Sequence, residues 1–452
     1  MRKPVLPRML GLLVLFCGIF VLLVCLQFAQ KGGRSPDSDK TTVSKLSVKK
    51  PEKKPVNPAD YIIVQAKSPQ SYNELLEKWK KQSFSYWGRI VPNANTPPDE
   101  DSVSAYCSEA AKRGIYRTAV SSVSSAFLNG RQRSHQSSVY LGGMGSALRS
   151  FTVSEQEKTN QISQMISGKQ PEIFAQSHVL EFLLARGYLN LAEEWLEQIR
   201  VMNSALDAAS ITYKICPGIF EGYTDFKQWR ANADNPFDKL ADRACLVFAG
   251  SIRKDTEKNL VFIFNENISD TAYNIRLGKA VSAWADATGK ENWAILGRSL
   301  ILSALSLADN NGAVPAFIQV AETGKFLPMQ DSLLSAAIIY KTISPSEYYP
   351  RAAGIGSSVN SMWAWTAASS VSAVQENNVL NISIAFPTSE IHFLMIRGIR
   401  PFTKLQIYNM DYPSDSEFER YESSGWVYSR QEQILILKLK HREPVEHVKV
   451  YF

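Results

Sequence analysis

Apolar positions along this chain follow three patterns. From Met9 to Leu26, MLGLLVLFCGIFVLLVCL, they run on for eighteen residues without a charge. As a helix that run is about 27 Å long, against a hydrocarbon core of roughly 30 Å, and Phe28 and Ala29 extend it. From Asp99 to about Gln375 they recur at spacings of three and four, the period of a helix. After Gln375 they alternate with period two. Leu380, Ile382, Ile384 and Phe386 form one such set; Leu405 with Ile407, Leu435 to Leu439, and Val448 to Phe452 form others. That is the pattern of half-buried strands. The fold expected is a single N-terminal transmembrane helix, a mainly α helical-hairpin body and a C-terminal antiparallel β-sandwich.

Helices are predicted near 102–113, 118–128, 155–167, 172–186, 188–200, 203–213, 236–250, 271–287, 291–308 and 329–342. Turns as short as Arg186-Gly187 join several of them, so they pair as antiparallel hairpins. The central pair is the most distinct. Leu277, Val281 and Trp284 share one face of its first helix. Thr288-Gly289-Lys290 ends that helix, with glycine suited to the left-handed position past the end. The second helix is apolar nearly all round, which marks a buried helix. Asp309-Asn310-Asn311-Gly312 then forms a polar turn. Upstream, Tyr61 to Gln65 reads as extended and Ser71 to Gln82 as a helix, with Phe84, Tyr86 and Trp87 in a loop. Leu260 to Phe264 reads as one short strand. Gly142-Gly143-Met144-Gly145 reads as a flexible turn, without the strand or the Lys-Ser/Thr of a phosphate loop. About six strands are expected after residue 376.

Charge divides the chain near residue 58. Residues 1–58 hold eleven Lys and Arg against three acids, a surplus of eight in a chain of net charge +7, so the remainder carries about −1. A folded part without a basic surplus argues against nucleic-acid binding. Arg2, Lys3 and Arg8 precede the apolar run and favour a cytoplasmic N-terminus. No small-residue cleavage pattern follows it, so an uncleaved signal anchor is expected; lipidation at Cys25 is the alternative. Residues 30–58, rich in Lys, Ser and Pro, read as a disordered basic tether. The resulting organisation is 1–8 cytoplasmic, 9–29 anchor, 30–58 tether, 59–98 N-terminal extension, 99–375 helical domain and 376–452 β module, with the bulk of the chain extracytoplasmic. Of the five cysteines, Cys107, Cys216 and Cys245 lie beyond the anchor, with no CxxC spacing. Neither a disulfide scaffold nor a metal site is expected, and no cofactor is implied.

Candidate chemistry is sparse. Asp286 and Asp309 sit at turns of the central hairpin, where two carboxylates could flank a glycosidic bond. His178 and Glu181, three apart in FAQSHVLEFLLA, could transfer protons or join outside ligands to a metal. A surface His–Glu contact explains them equally well. Tyr348, Tyr349, Trp363 and Trp365 could form a platform for a sugar ring or pack domains together. His392, His441 and His447 read as strand or surface residues of the β module.

Helical hairpins followed by a β-sandwich, the turn Leu307 to Gly312 and the tryptophans of WAWTA resemble the six-hairpin (α/α)-toroid proteins, a group with glycoside hydrolases and polysaccharide lyases. The resemblance spans roughly residues 100–452 and carries no diagnostic catalytic motif. It implies a membrane-anchored protein that binds glycan and could cleave it. A non-catalytic scaffold for envelope proteins fits the same pattern. A signal-anchored glycosyltransferase fits less well, because no βαβ series occurs, the folded body shows no convincing metal-binding DxD, and Asp37-Ser38-Asp39 lies in the tether.

Overall fold

The central hairpin forms where its periodicity places it, as helices Thr271–Thr288 and Glu291–Leu305. Gly289 ends the first in the left-handed region, at φ +72. The two helices touch backbone to backbone. A Cβ added at Gly278 would lie 2.6 Å from the Gly297 carbonyl oxygen, and one at Gly297 2.5 Å from that of Gly278. Few polar groups remain on the second helix, and they bind neighbouring backbone. Ser303 Oγ accepts the Val261 N–H at 2.8 Å and Ser299 Oγ accepts that of Ile63 at 3.1 Å. Burial on all sides follows from that lack of polar surface.

The structure is a computed structural model that describes residues 56–130, 134–205, 211–255, 257–356 and 362–452. The expected anchor and nearly all of the expected tether lie outside these residues. Among the described residues no helix is long and apolar enough to cross a membrane. Pro55–Phe452 is one compact unit.

Helices make up most of this unit as far as Ile343, and their bounds differ from the sequence reading in instructive ways. The helix Pro69–Ile90 takes in Phe84, Tyr86 and Trp87, which a loop was expected to hold; Trp87 is buried against Tyr340. Of residues 61–65, Ile62 and Ile63 are extended, and the others fall in short helical turns. Tyr61 ends the turn Pro58–Tyr61, and Val64 and Gln65 begin the turn Val64–Lys67. Gly142 and Gly143 do form a break, but Met144 at once begins the long helix Met144–Ser167. Part of the expected 203–213 helix lies outside the described residues. Cys216–Trp229 is a helix that periodicity missed, because Pro217, Gly218 and Gly222 read as breakers. Proline costs nothing in the first turn, where its missing N–H had no partner to lose.

Two five-stranded antiparallel sheets form the C-terminal part. One has the order Ser370–Glu376, Val379–Ala385, Val445–Tyr451, Lys404–Ile407, Met410–Asp411; the other runs Gly425–Ser429, Ile434–Lys440, Ile391–Arg397, Trp363–Thr366, Arg351–Gly354. The sheets therefore begin at Arg351, upstream of where period two becomes legible. Their facing side chains share one apolar core, including Ile382, Leu405 and Val450 from one sheet and Leu394, Leu437 and Trp426 from the other. A second core joins the outer face of the Trp363 sheet to the N-terminal helices, through Trp365, Met395, Tyr140 and Trp87. A third surrounds the central hairpin and the helix Cys216–Trp229. Cys107, Cys216 and Cys245 are free and buried in these cores. The strand Leu260–Ile263 is not solitary either: it pairs with Ile252–Asp255.

Candidate functional site

The helix Cys216–Trp229 carries Glu221 and Asp225 four residues apart, hence on one face. Both are buried. Its glycines let it approach its neighbours closely. A Cβ at Gly222 would lie 2.4 Å from the Phe237 ring, and one at Gly218 2.0 Å from the Phe174 carbonyl oxygen.

Buried carboxylates need partners. Arg276, on the first central helix, grips Glu221 with two bonds, Nε to Oε1 at 2.8 Å and Nη2 to Oε2 at 2.7 Å. The same guanidinium donates to the carbonyls of Ala175 and Gln176 at 2.7 and 2.8 Å. It thereby holds the segment that leads into His178. His178 does not lie within the helix its sequence context suggests. It caps the helix Val179–Ala185 from the left-handed region, at φ 47 and ψ 50. Glu221 Oε2 accepts the His178 backbone N–H at 3.0 Å, which holds a conformation that a residue with a Cβ rarely adopts.

In this position the imidazole meets Asp225. His178 Nδ1 lies 3.0 Å from Asp225 Oδ1, while Asp225 Oδ2 accepts the Glu181 N–H at 3.4 Å. Glu181 Oε2 is 3.5 Å from the same Nδ1. The Asp225 side chain retains only 5% of its exposure, whereas His178 keeps 47% and Glu181 61%. Asp225 is thus the orienting group, and the other two face open space. That space is a cavity of about 950 Å³. One wall is the first central helix with Lys279, Ala280 and Ala283; the opposite rim has Asp101 and Lys341.

Charge states follow from these contacts. Burial alone would lower the pKa of His178, but the hydrogen bond and charge of Asp225, with Glu221 and Glu181 behind, raise it to about 9. The ring is therefore an imidazolium at neutral pH. Burial pushes Glu181 above the usual carboxylate range; His178 opposes this and Asp225 adds to it. Exposure of Glu181 into a cavity, rather than to open solvent, accounts for reduced solvation beside a large accessible area. Burial would also raise Glu221, but its pairing with Arg276 holds it below the usual range. Lys279, in the cavity wall, is lowered by burial and by Lys80. One oxygen or nitrogen from each of His178, Glu181 and Asp225 falls within 4.8 Å of the others, a span one cation could bridge.

The structure brings His178 and Glu181 together and leaves the other sequence candidates elsewhere. Asp286 is exposed and does not line the cavity. Asp309 shapes its own turn: Oδ1 accepts the N–H groups of Asn311 and Ala313 at 2.8 and 3.0 Å. That turn packs against the helix Pro69–Ile90, where Trp79 Nε1 donates to the Gly312 carbonyl at 2.9 Å. The fifteen residues of Glu291–Leu305 separate the two carboxylates, a helix length of about 22 Å, so they cannot flank one bond. Tyr349, Trp363 and Trp365 are buried between helices and sheet. Trp365 Nε1 donates to the His135 carbonyl at 2.8 Å, Arg186 lies over the Trp363 ring, and Tyr348 packs edge-on to Phe386. These rings join the two parts of the unit rather than lie open to a sugar. Asp225, Glu221, Arg276, Lys279 and Lys341 were not found from sequence. Two acids four apart in the otherwise apolar stretch CPGIFEGYTDF were the available signal. The chain matches no protein-family model, and no curated protein matches it.

Proposed function

We propose that the helical body is toroid-like, is held outside the cytoplasm by the N-terminal apolar run, and cleaves an acidic glycan by elimination in this cavity. Asp225 is committed to the ring and Asp101 faces Lys341 Nζ at 3.5 Å on the opposite rim, so Glu181 is the carboxylate that stands beside the imidazolium. Hydrolysis by two flanking carboxylates needs a second free acid. Elimination needs a base and an acid. Glu181 takes the proton from a sugar carbon beside a carboxylate, a carbon–carbon double bond forms, and the C–O bond to the leaving sugar breaks. His178 gives its proton to the departing oxygen. Lys279, Lys341 and the imidazolium offset the negative charge that builds on the substrate carboxylate.

The observation that carries this reading is Glu181 beside an Asp225-held His178 at an open cavity of about 950 Å³. Acidic and neutral polysaccharides incubated with the protein test it. Ultraviolet absorbance of new unsaturated ends is the expected result, lost in Glu181→Gln and His178→Ala. New reducing ends without absorbance would mean hydrolysis. Binding without turnover would leave a glycan-binding protein, and no binding would favour the envelope-scaffold alternative.

A further inference from the structure

We propose that a polar cleft where the helix Tyr116–Ser122 meets the β module binds one acidic sugar unit; this extends the acidic-glycan reading above to a second site and needs no turnover. The cleft measures about 620 Å³ and shares no lining residue with the cavity of His178. Sites for small ligands span about 300–1,000 Å³. Its chemistry comes from Arg117, Tyr408, Glu422, Ser424, Lys440 and Arg442. Arg117 belongs to the helix Tyr116–Ser122. Tyr408 lies in the two-residue turn between the strands Lys404–Ile407 and Met410–Asp411 of one sheet. Lys440 ends the strand Ile434–Lys440 of the other sheet, and Arg442 follows it. Among the described residues none of the lining side chains is aliphatic, so the cleft suits a ligand that is polar all round.

Tyr408 is the fixed part of this cleft. It sits in the left-handed region at φ 56, a conformation rare for a bulky residue, and polar contacts hold it there. Its hydroxyl donates to the Lys440 carbonyl and lies 2.6 Å from Ser424 Oγ, which accepts the Lys440 N–H at 2.9 Å. These bonds tie the turn of one sheet to the end of the other. The Arg442 guanidinium carbon lies 3.8 Å from the centre of the Tyr408 ring. A guanidinium over a ring keeps its N–H edge for a planar acid. Among the described residues the side chains of Lys440 and Arg442 make no ion pair and no hydrogen bond. The nearby acids are engaged elsewhere, apart from Glu422. Glu390 faces Arg117 at 3.6 Å, and Arg117 also donates to the Ser389 carbonyl at 2.5 Å. Glu446 is buried and accepts the backbone N–H groups of Arg442 and Glu443 at 2.5 and 3.1 Å. Glu422 lines the cleft itself. Its carboxylate accepts from hydroxyl groups and repels a multiply charged anion such as phosphate. A carboxylate on a hydroxylated ring meets both demands: it takes the N–H groups of Arg442 and the charge of Lys440, and its hydroxyls bond Glu422.

The test uses the full chain in a non-ionic detergent, with Glu181→Gln present so that no ligand is consumed. Trimers of glucuronate, galacturonate and mannuronate, a neutral glucose trimer and inorganic phosphate are titrated into it by calorimetry. Expected is that an acidic trimer fills two sites per chain, this cleft and the cavity of His178, and binds more tightly than the neutral trimer or phosphate. Arg442→Gln with Lys440→Gln then weakens one of the two sites at least about tenfold, with an unchanged melting temperature. A single site that is lost in the double variant supports the cleft and sinks the reading of the His178 cavity. Binding that the double variant leaves unchanged overturns the cleft and leaves the cavity reading standing. No binding of any acidic trimer overturns both. Phosphate or the neutral trimer binding at Arg442 and Lys440 as tightly as the acidic trimers would also overturn the sugar acid as the ligand.

Discussion

Two histidine sites in this protein differ in charge, one cationic and one neutral, for one reason. His178 lies among Asp225, Glu181 and Glu221, and its pKa is raised to about 9. His392 and His441 lie in the joint between helices and sheets, their rings 5.1 Å apart, and Phe386 stacks on His392 at 4.2 Å. Both nitrogens of His392 and Nε2 of His441 lack a partner among the described residues. Burial, joined by the charge of its neighbour His441, takes His392 well below the ordinary value; burial takes His441 to about 4, with the Glu443 carbonyl opposing. Burial weakens the charged form in both places, and only a carboxylate in contact reverses the outcome. The sequence reading placed His392 and His441 at the surface or on strands; His392 is on the strand Ile391–Arg397 and His441 directly follows Ile434–Lys440, and both are buried. His447, which is exposed and bonded to Ser383, fits that reading.

Removing the carboxylate should give the largest effect. In Asp225→Asn the His178 ring keeps its neighbours but loses its main counter-charge. Its titration, followed by NMR of the ring protons, should move from about 9 toward the unperturbed value of about 6.5. Turnover, if the proposed elimination holds, should fall on the order of 10²-fold or more. A titration that stays near its original value would break the comparison.

Stability against pH tests both histidine sites with opposite signs. A raised pKa means the folded state binds the extra proton, so the His178 contribution is complete below about 6.5 and is lost as pH rises toward about 9. A lowered pKa means the unfolded state binds it, so folding weakens as pH falls from about 6.5 toward about 4 through His441, with His392 acting in the same direction. The acid limb should amount to about 3 kcal/mol or more in chemical denaturation. His392→Phe should reduce it and leave the share of His441, and Asp225→Asn should flatten only the alkaline limb. Equal acid limbs in wild type and His392→Phe would sink the account.

Smaller effects concern the supports of the site. Gly222→Ala pushes a methyl group into the Phe237 ring and should cost about 1–3 kcal/mol, read as a lower denaturation midpoint. Asp309→Ala frees two turn N–H groups and should cost about 1 kcal/mol without changing turnover. Asp286→Asn should change neither. Loss of turnover in Asp286→Asn with stability intact would move the chemistry away from His178.

The sequence by itself determined the change from period 3.6 to period two, and with it a helical body ahead of antiparallel sheets. Periodicity is local: which face of an element is buried shows in the spacing of its own residues. It also marked the central hairpin within a few residues, because an apolar helix bounded by Gly289 and a polar turn has few alternatives. It marked His178 and Glu181 through their spacing. Only the tertiary structure decided that they have partners. Asp225 and Glu221 lie more than forty residues along the chain, on a helix hidden by Pro217 and two glycines whose small size serves packing. Arg276 is about a hundred residues away and fixes the turn before His178. The tertiary structure likewise separated Asp286 from Asp309, and turned Trp363 and Trp365 inward. Such groups meet because rigid elements pack, and charge in a buried place depends on what else arrives there. A pattern read along one segment does not contain that information.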